Sequence, residues 1–227
     1  MSVRLSIGGR SFGLGELPVP LELGELIPGR NDWEVEIGFG KGRYLLRRAC
    51  EKPEAGFVGV EVASAYYRLA SKRAQRRHLE NIVLIRGEAL YLLSASLPVE
   101  FASAVHVYFP DPWPKARHQK RRLFDAETVD LVLGLLNPGG YLYFATDHLD
   151  YGAVVYDILK EHPAVDVKVI EEIWPDGART NYEAKYIKEG RPILRLEILR
   201  RAEVAADLLH PQGYSGVTSA CCNGTGP

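Results

Sequence analysis

Trp33-Glu34-Val35-Glu36-Ile37-Gly38-Phe39-Gly40-Lys41-Gly42 is the stretch that decides the fold. An alternating, strand-like run ends in E-x-G-x-G-x-G and passes into an amphipathic segment at 42–50. Glycines at a strand-to-helix turn permit positive φ and let a ligand lie against the main chain. The dinucleotide pattern G-x-G-x-x-G would need glycine at 43, where the chain has Arg43, so a nicotinamide dinucleotide is disfavoured. Working outward, strand patterns at 57–61, 82–86, 104–109 and 141–146 alternate with helical patterns at 63–79, 89–96 and 124–136. A further helix falls near 151–161. This alternation implies right-handed crossovers and a parallel sheet. Two late strands, near 165–170 and 192–200, follow without a long helix between them, which implies an antiparallel edge. The expected architecture is α/β: a doubly wound, seven-stranded, mostly parallel sheet with an antiparallel edge strand, its ligand at the carboxyl ends of the strands.

The chain of 227 residues suits one large domain. Residues 1–31, broken by Pro18, Pro20 and Pro28, read as an N-terminal arm. Residues 32–201 read as the domain, and 202–227, poor in charge, as a flexible C-terminal tail. No apolar run approaches the length that spans a bilayer, and no secretory signal is visible, so no membrane partner is expected. Cys50, Cys221 and Cys222 form neither a zinc pattern nor a disulfide framework, so no metal and a reducing, cytoplasmic setting are expected. The sequence does not distinguish a monomer from a homodimer. The net charge of -1, from 28 basic and 29 acidic residues, argues against a nucleic-acid partner if taken alone.

The distribution of charge reverses that argument. Glu36 precedes the first glycine of the turn, Glu61 closes the next strand in V-G-V-E, and Glu88 follows the third strand in R-G-E-A. Acids closing three successive strands beside the glycine-rich turn of Gly38 and Gly40 suit a cationic, phosphate-free cofactor. S-adenosyl-L-methionine has that chemistry, with Glu61 set for ribose hydroxyls and Glu88 for the adenine amino group. The bland alternative is an ordinary tight turn with solvated strand ends.

The fourth strand runs into Tyr108-Phe109-Pro110-Asp111-Pro112-Trp113-Pro114-Lys115, a loop stiffened by three prolines. Asp111 can accept hydrogen bonds from a base edge, while Trp113 can stack on a base or pack on the scaffold. Lys115, Arg117, Lys120, Arg121 and Arg122, interleaved with His118, place five cations within eight residues and no acid. Directly after this loop, which the expected fold would set over the reactive methyl group, the run favours phosphate contact over a plain solvated face. A second cluster, Arg68, Lys72, Arg73, Arg76 and Arg77, covers one face of a helix and reads equally as an RNA footprint and as solvated surface. Asp147 ends the fifth strand, and Thr180-Asn181-Tyr182-Glu183 lies in a polar loop before the last strand. Both can offer acceptors to a guanine edge, and both also match helix-capping patterns.

Together, E-I-G-F-G-K-G, G-V-E-V, F-P-D-P-W-P-K followed by R-H-x-K-R-R, T-D-x-x-x-Y and the late T-x-x-E resemble the bacterial tRNA (guanine-N(7)-)-methyltransferase family over roughly residues 33–200. The resemblance implies a Rossmann-like class I methyltransferase fold, S-adenosyl-L-methionine as cofactor and tRNA as partner. It implies methylation of the guanine at position 46 in the variable loop. It places the cofactor acids on Glu36, Glu61 and Glu88, where the family often has Asp at the third position. It puts the active-site aspartate, also near the cofactor, on Asp111. Substrate contacts fall on Lys115, Asp147 and the span from Thr180 to Glu183, and the RNA segment on Arg117 to Arg122. The rival readings are a class I methyltransferase acting on another RNA base or a small molecule, and a non-catalytic RNA-binding protein of the same fold.

Overall fold

The computed structural model describes residues 4–7, 10–13, 19–113, 122–126, 128–203 and 209. The strands are β1 (Arg4–Ile7), β2 (Arg10–Gly13), β3 (Trp33–Ile37), β4 (Gly56–Glu61), β5 (Ile82–Arg86), β6 (Ala102–Tyr108), β7 (Leu136–Thr146), β8 (Val165–Val169) and β9 (Leu194–Arg200). The helices are α1 (Leu23–Leu26), α2 (Arg43–Glu51), α3 (Ser64–Arg76), α4 (Ala89–Ala95), α5 (Val129–Leu133), α6 (Leu149–Glu161) and α7 (Asn181–Lys188). They build one sheet in the order β2-β1-β5-β4-β3-β6-β7-β9-β8. From β5 to β7 every pairing is parallel, and β9 runs antiparallel to both β7 and β8. This is the expected seven-stranded sheet with its reversed edge.

Two more strands extend it. β1 and β2 pair with each other, and β1 pairs antiparallel with β5, placing Leu5 opposite Ile85. The segment expected to be an arm thus contributes a hairpin that covers a bare sheet edge, and Leu5 is fully buried there. The other departures are local. The helix expected over 124–136 is confined to Val129–Leu133. Asp125 and Thr128 exchange hydrogen bonds ahead of it, and Leu136 already pairs with Ala102 as the start of β7. Between β8 and β9, α7 replaces the polar loop expected at 180–183.

Strand alternation gives the two faces different chemistry. Val35, Ile37, Val105, Val107, Leu142 and Phe144 point into a large apolar core shared with α4, α5 and α6. On the other face, Phe57 and Leu84 pack with Leu45 and Leu46 of α2 and Ala70 and Ala74 of α3. Farther along that face, under β3 and β6, the inward positions are Glu34, Glu36, His106 and Tyr108, all buried. α2 can lie this close because Gly59 has no side chain. A Cβ there would come within 2.3 Å of Leu45 Cδ2 and 2.8 Å of Phe39 Cδ1. Gly59→Val is expected to destabilise the fold by about 1–3 kcal/mol through overpacking, read as a drop in the denaturant midpoint at unchanged slope.

Candidate cofactor and substrate site

The glycine turn joins β3 to α2. Gly38, Gly40 and Gly42 have φ of 76°, 52° and 70°, which only glycine adopts without strain. Nothing lies within 4 Å of where a Cβ would sit on Gly38 or Gly40, so the turn presents bare backbone to open space. Gly38 is anchored by its N–H to the Val60 carbonyl at 2.8 Å. Glu61, at the end of β4, accepts from the Gly40 N–H at 2.8 Å with one carboxylate oxygen and from the Ala63 N–H at 2.7 Å with the other. One carboxylate therefore fixes both the glycine turn and the entrance to α3.

Glu36 is almost fully buried and accepts from the Leu45 N–H at 3.0 Å, inside the first turn of α2. Burial, reinforced by the nearby Glu61 carboxylate and opposed by the Leu45 N–H, pushes the Glu36 carboxyl up to about 8. Among the described residues no Lys or Arg forms an ion pair with either acid. Two carboxylates held together without a countercharge make a site that favours a cationic ligand. Glu88 is exposed and N-caps α4, accepting from the Tyr91 N–H at 2.9 Å. Its place after β5 is the expected one, and capping occupies part of its acceptor capacity.

The candidate substrate side lies beyond β6. Parallel pairing of Ile37 with Val107 sets the loop after β6 beside the glycine turn. Phe109 and Trp113 adopt positive φ of 53° and 40°, unusual for side-chain-bearing residues, and they bracket the exposed Asp111. The N-terminus of α7 faces this loop. Tyr182, 53% exposed, lies within electrostatic reach of Tyr66 of α3 and of Asp111. The rings of Phe109, Tyr182 and Tyr186 stand 5.5–6.3 Å apart. Asn181 accepts weakly from Arg43 at 3.4 Å, and Asp147 pairs with Arg191 at 2.6 Å, whose guanidinium covers the Tyr186 ring.

Thr180 and Glu183 serve α7 itself. Thr180 is the N-cap and accepts from the Glu183 N–H, while Glu183 is fully buried, pairing with Arg195 at 2.7 Å and accepting from the Arg179 N–H. Arg122 donates to the Pro112 carbonyl at 2.9 Å and lies over the Tyr151 ring. Lys115, Arg117, His118, Lys120 and Arg121 lie outside the described residues.

Residues 30–196 match the Methyltransf_4 family model, described as "Putative methyltransferase". The tRNA (guanine-N(7)-)-methyltransferase of Nitrosococcus oceani is 35% identical over 184 residues, 81% of this chain and 78% of that protein. That of Alkalilimnicola ehrlichii is 33% identical, covering 84% and 83%. The chain belongs to this family.

Solved structures agree with the fold of the methyltransferase. A variant of the 16S rRNA (adenine(1408)-N(1))-methyltransferase from Catenulisporales acidiphilia, with cosubstrate SAM, has a TM-score of 0.59 at 18% identity, covering 89% of this chain and 99% of that one. The aminoglycoside resistance methyltransferase NpmB1 has a TM-score of 0.57 at 19% identity, covering 87% and 99%. The enzyme is S-adenosyl-L-methionine-dependent, and its residues fit that group: bare glycine backbone, and Glu36 and Glu61 without a countercharge. No helix among the described residues is long and apolar enough to cross a membrane, and none of their His, Cys, Asp and Glu side chains cluster into a metal site.

Sequence reasoning missed the residues that steady this site from beneath. Arg179 donates to the Tyr108 hydroxyl at 2.7 Å and to Asp176 at 3.0 Å, its guanidinium 4.2 Å from the Trp174 ring centre and 4.7 Å from that of Tyr143. Tyr108 meets His106, and His106 meets Glu34, which also takes Arg48 and Lys52. Burial works against ionising Glu34, yet hydrogen bonds from His106 and Arg48 hold it well below the usual carboxylate range.

The raised Glu36 carboxyl has a definite sign. Its neutral form is favoured in the fold, so the ligand-free protein gains stability as pH falls through about 8 towards the ordinary carboxylate range, and loses it as pH rises. A cationic ligand favours the ionised form. Binding of S-adenosyl-L-methionine at pH 7 is therefore expected to release up to about one proton. Calorimetry in buffers of different ionisation enthalpy reads this release, and in Glu36→Gln it is expected to vanish.

Proposed function

We propose that the enzyme methylates nitrogen 7 of guanine 46 in the variable loop of tRNA. The observation that carries this reading is that the loop bearing Asp111 meets Tyr182 of α7, through the Phe109 ring, beside the glycine turn of a chain from this family. Glu36, Glu61, Glu88, Gly38 and Gly40 would hold S-adenosyl-L-methionine, which supplies an electrophilic methyl group when bound. Guanine N7 carries a lone pair and no proton, so no general base is needed at the attacked atom.

The work left to the protein is to present the base, exclude water and stabilise charge. Asp111 and Asp147 are acceptors suited to the N1–H and amino donors of guanine. Neither is buried, so each can reach a base brought to the surface. The purine becomes cationic on methylation, and the same carboxylates oppose that charge. Tyr182 offers an exposed aromatic face of the kind on which a splayed base stacks. Drawing guanine out of its stack costs a few kcal/mol. Phosphate contacts from Lys115 and the span from Arg117 to Arg122 would offset this, with Arg122 fixed to the catalytic loop through Pro112.

Asn181, Thr180 and Glu183 act at different levels. Asn181 is exposed at the start of α7 and available to the substrate. Thr180 and the buried Glu183 set the angle of the helix that carries Tyr182.

Labelled cofactor and unmodified tRNA transcript are expected to yield 7-methylguanosine, and a transcript with adenine in place of guanine 46 is expected to take up none. Asp111→Ala should lose methyl transfer by at least about 100-fold with an unchanged melting temperature. Turnover by that variant at the wild-type rate would refute the assignment.

A further inference from the structure

The solvent half of α3 carries Arg68, Lys72, Arg76 and Arg77 exposed and Arg73 half-buried, with no acid between Val62 and Leu79. The opposite side of the helix buries Tyr67, Ala70 and Ala74 against the core. Lys41 and Arg43, both exposed at the glycine turn, continue the surface, and Arg73 donates to the Lys41 carbonyl at 2.8 Å. Elsewhere on the described surface, cations such as Lys168, Lys185 and Arg201 are paired with carboxylates. None of the five basic residues of α3 and its C-cap has a carboxylate partner among the described residues. Five like charges left uncompensated on one helix repel each other.

The position of this surface says what could compensate it. α3 begins directly after Ala63, whose N–H is held by Glu61, so the helix starts at the cofactor edge of the sheet. In its first turn Tyr66 stands within electrostatic reach of Tyr182, whose ring meets Phe109 at the mouth of the substrate side. A polyanion whose base occupies that mouth would meet Arg68 next and then run along the helix. From Arg68 to Arg77 the helix offers about 14 Å of positive surface.

We infer that the exposed face of α3 is a second docking surface for the tRNA, gripping the sugar–phosphate backbone that flanks the methylated guanine. It is separate in sequence from the segment after the catalytic loop. The inference rests on the proposed methylation of tRNA, and it concerns affinity and placement of the RNA rather than the chemistry of transfer. Point-charge contacts to phosphate are sequence-independent and salt-sensitive.

The test is the triple variant Lys72→Ala, Arg76→Ala, Arg77→Ala, which leaves the glycine turn and the tyrosine contacts intact. Binding of an unmodified tRNA transcript is measured by fluorescence anisotropy across a salt series, so that it is read without turnover. The expected outcome is a fall of about two to three in the slope of log affinity against log salt, and a loss of affinity of about 10- to 100-fold near physiological salt. KM for tRNA should rise in step, with kcat at saturating tRNA and affinity for S-adenosyl-L-methionine unchanged. The charge-retaining variant Lys72→Arg, Arg76→Lys, Arg77→Lys should bind like the wild type. A control lacking Lys160, Lys168 and Arg201, on other elements, should keep the wild-type slope. An unchanged slope and affinity in the alanine variant would overturn the inference, as would an equal loss in the charge-retaining variant. Failure of the wild type to form 7-methylguanosine while the slope still falls would instead strike at the reading of the reaction.

Discussion

The carboxylate of Glu61 is the constraint on which the site depends. Its two oxygens take one N–H from the glycine turn and one from the start of α3. Those two segments belong to different crossover units, and Gly38 and Gly40 have no side chains with which packing could hold the turn. The buried carboxylate holds it by accepting one directional backbone hydrogen bond on each oxygen, and each oxygen still has acceptor capacity afterwards. The residue that holds the cradle together therefore keeps valence for what lies in the cradle. On the neighbouring strand Glu36 has a similar role, fixing the first turn of α2 through Leu45 while remaining close enough to Glu61 to feel its charge.

The two faces of the sheet divide the labour. One is closed by aliphatic side chains from α4, α5 and α6 and supplies the bulk of the hydrophobic stabilisation. The other gives up apolar burial beneath β3 and β6 for a chain of polar contacts from Glu34 through His106 and Tyr108 to Arg179. A cavity of about 370 Å³ opens beside that chain, lined by Tyr44, Arg48, Tyr141 and Tyr143 among others. Satisfied networks of this kind specify one arrangement of their members, and here the members lead directly into the loop that bears Asp111.

Local patterns carried most of the fold. The glycine turn, the acids closing successive strands and the apolar runs of β3 to β7 all sit in contiguous sequence. The hairpin of β1 and β2 was harder to see, although Gly8-Gly9 between short alternating segments is a hairpin signal. Pro18, Pro20 and Pro28 downstream break any long element there and mask that signal. α7 is hard to read in sequence because its stability comes from the Thr180 N-cap and from Glu183, which accepts from the Arg179 N–H and pairs with Arg195, twelve residues away on a strand. Thr-x-x-Glu has two physical uses, and only the position of Arg195 decides that the glutamate is a structural member of its helix. Glu34 likewise reads as an ordinary strand residue until His106, 72 positions on, is placed beside it. The run of cations without acids after the loop that bears Asp111 is visible in the sequence, but Lys115 to Arg121 lie outside the described residues.

Arg179 joins two regions of the site that no strand connects. Its main-chain N–H is bound to Glu183 in α7, and its guanidinium is bound to Tyr108, the last residue of β6. The helix that displays Tyr182 and the loop that displays Asp111 are thus tied at their roots by a single side chain inside an aromatic cage. On the proposed reading, a base arriving against one of these elements meets the other already tied to it through Arg179. In the proposed binding mode the two elements that flank the guanine are thus joined before the RNA arrives, and it is the RNA that adapts to them.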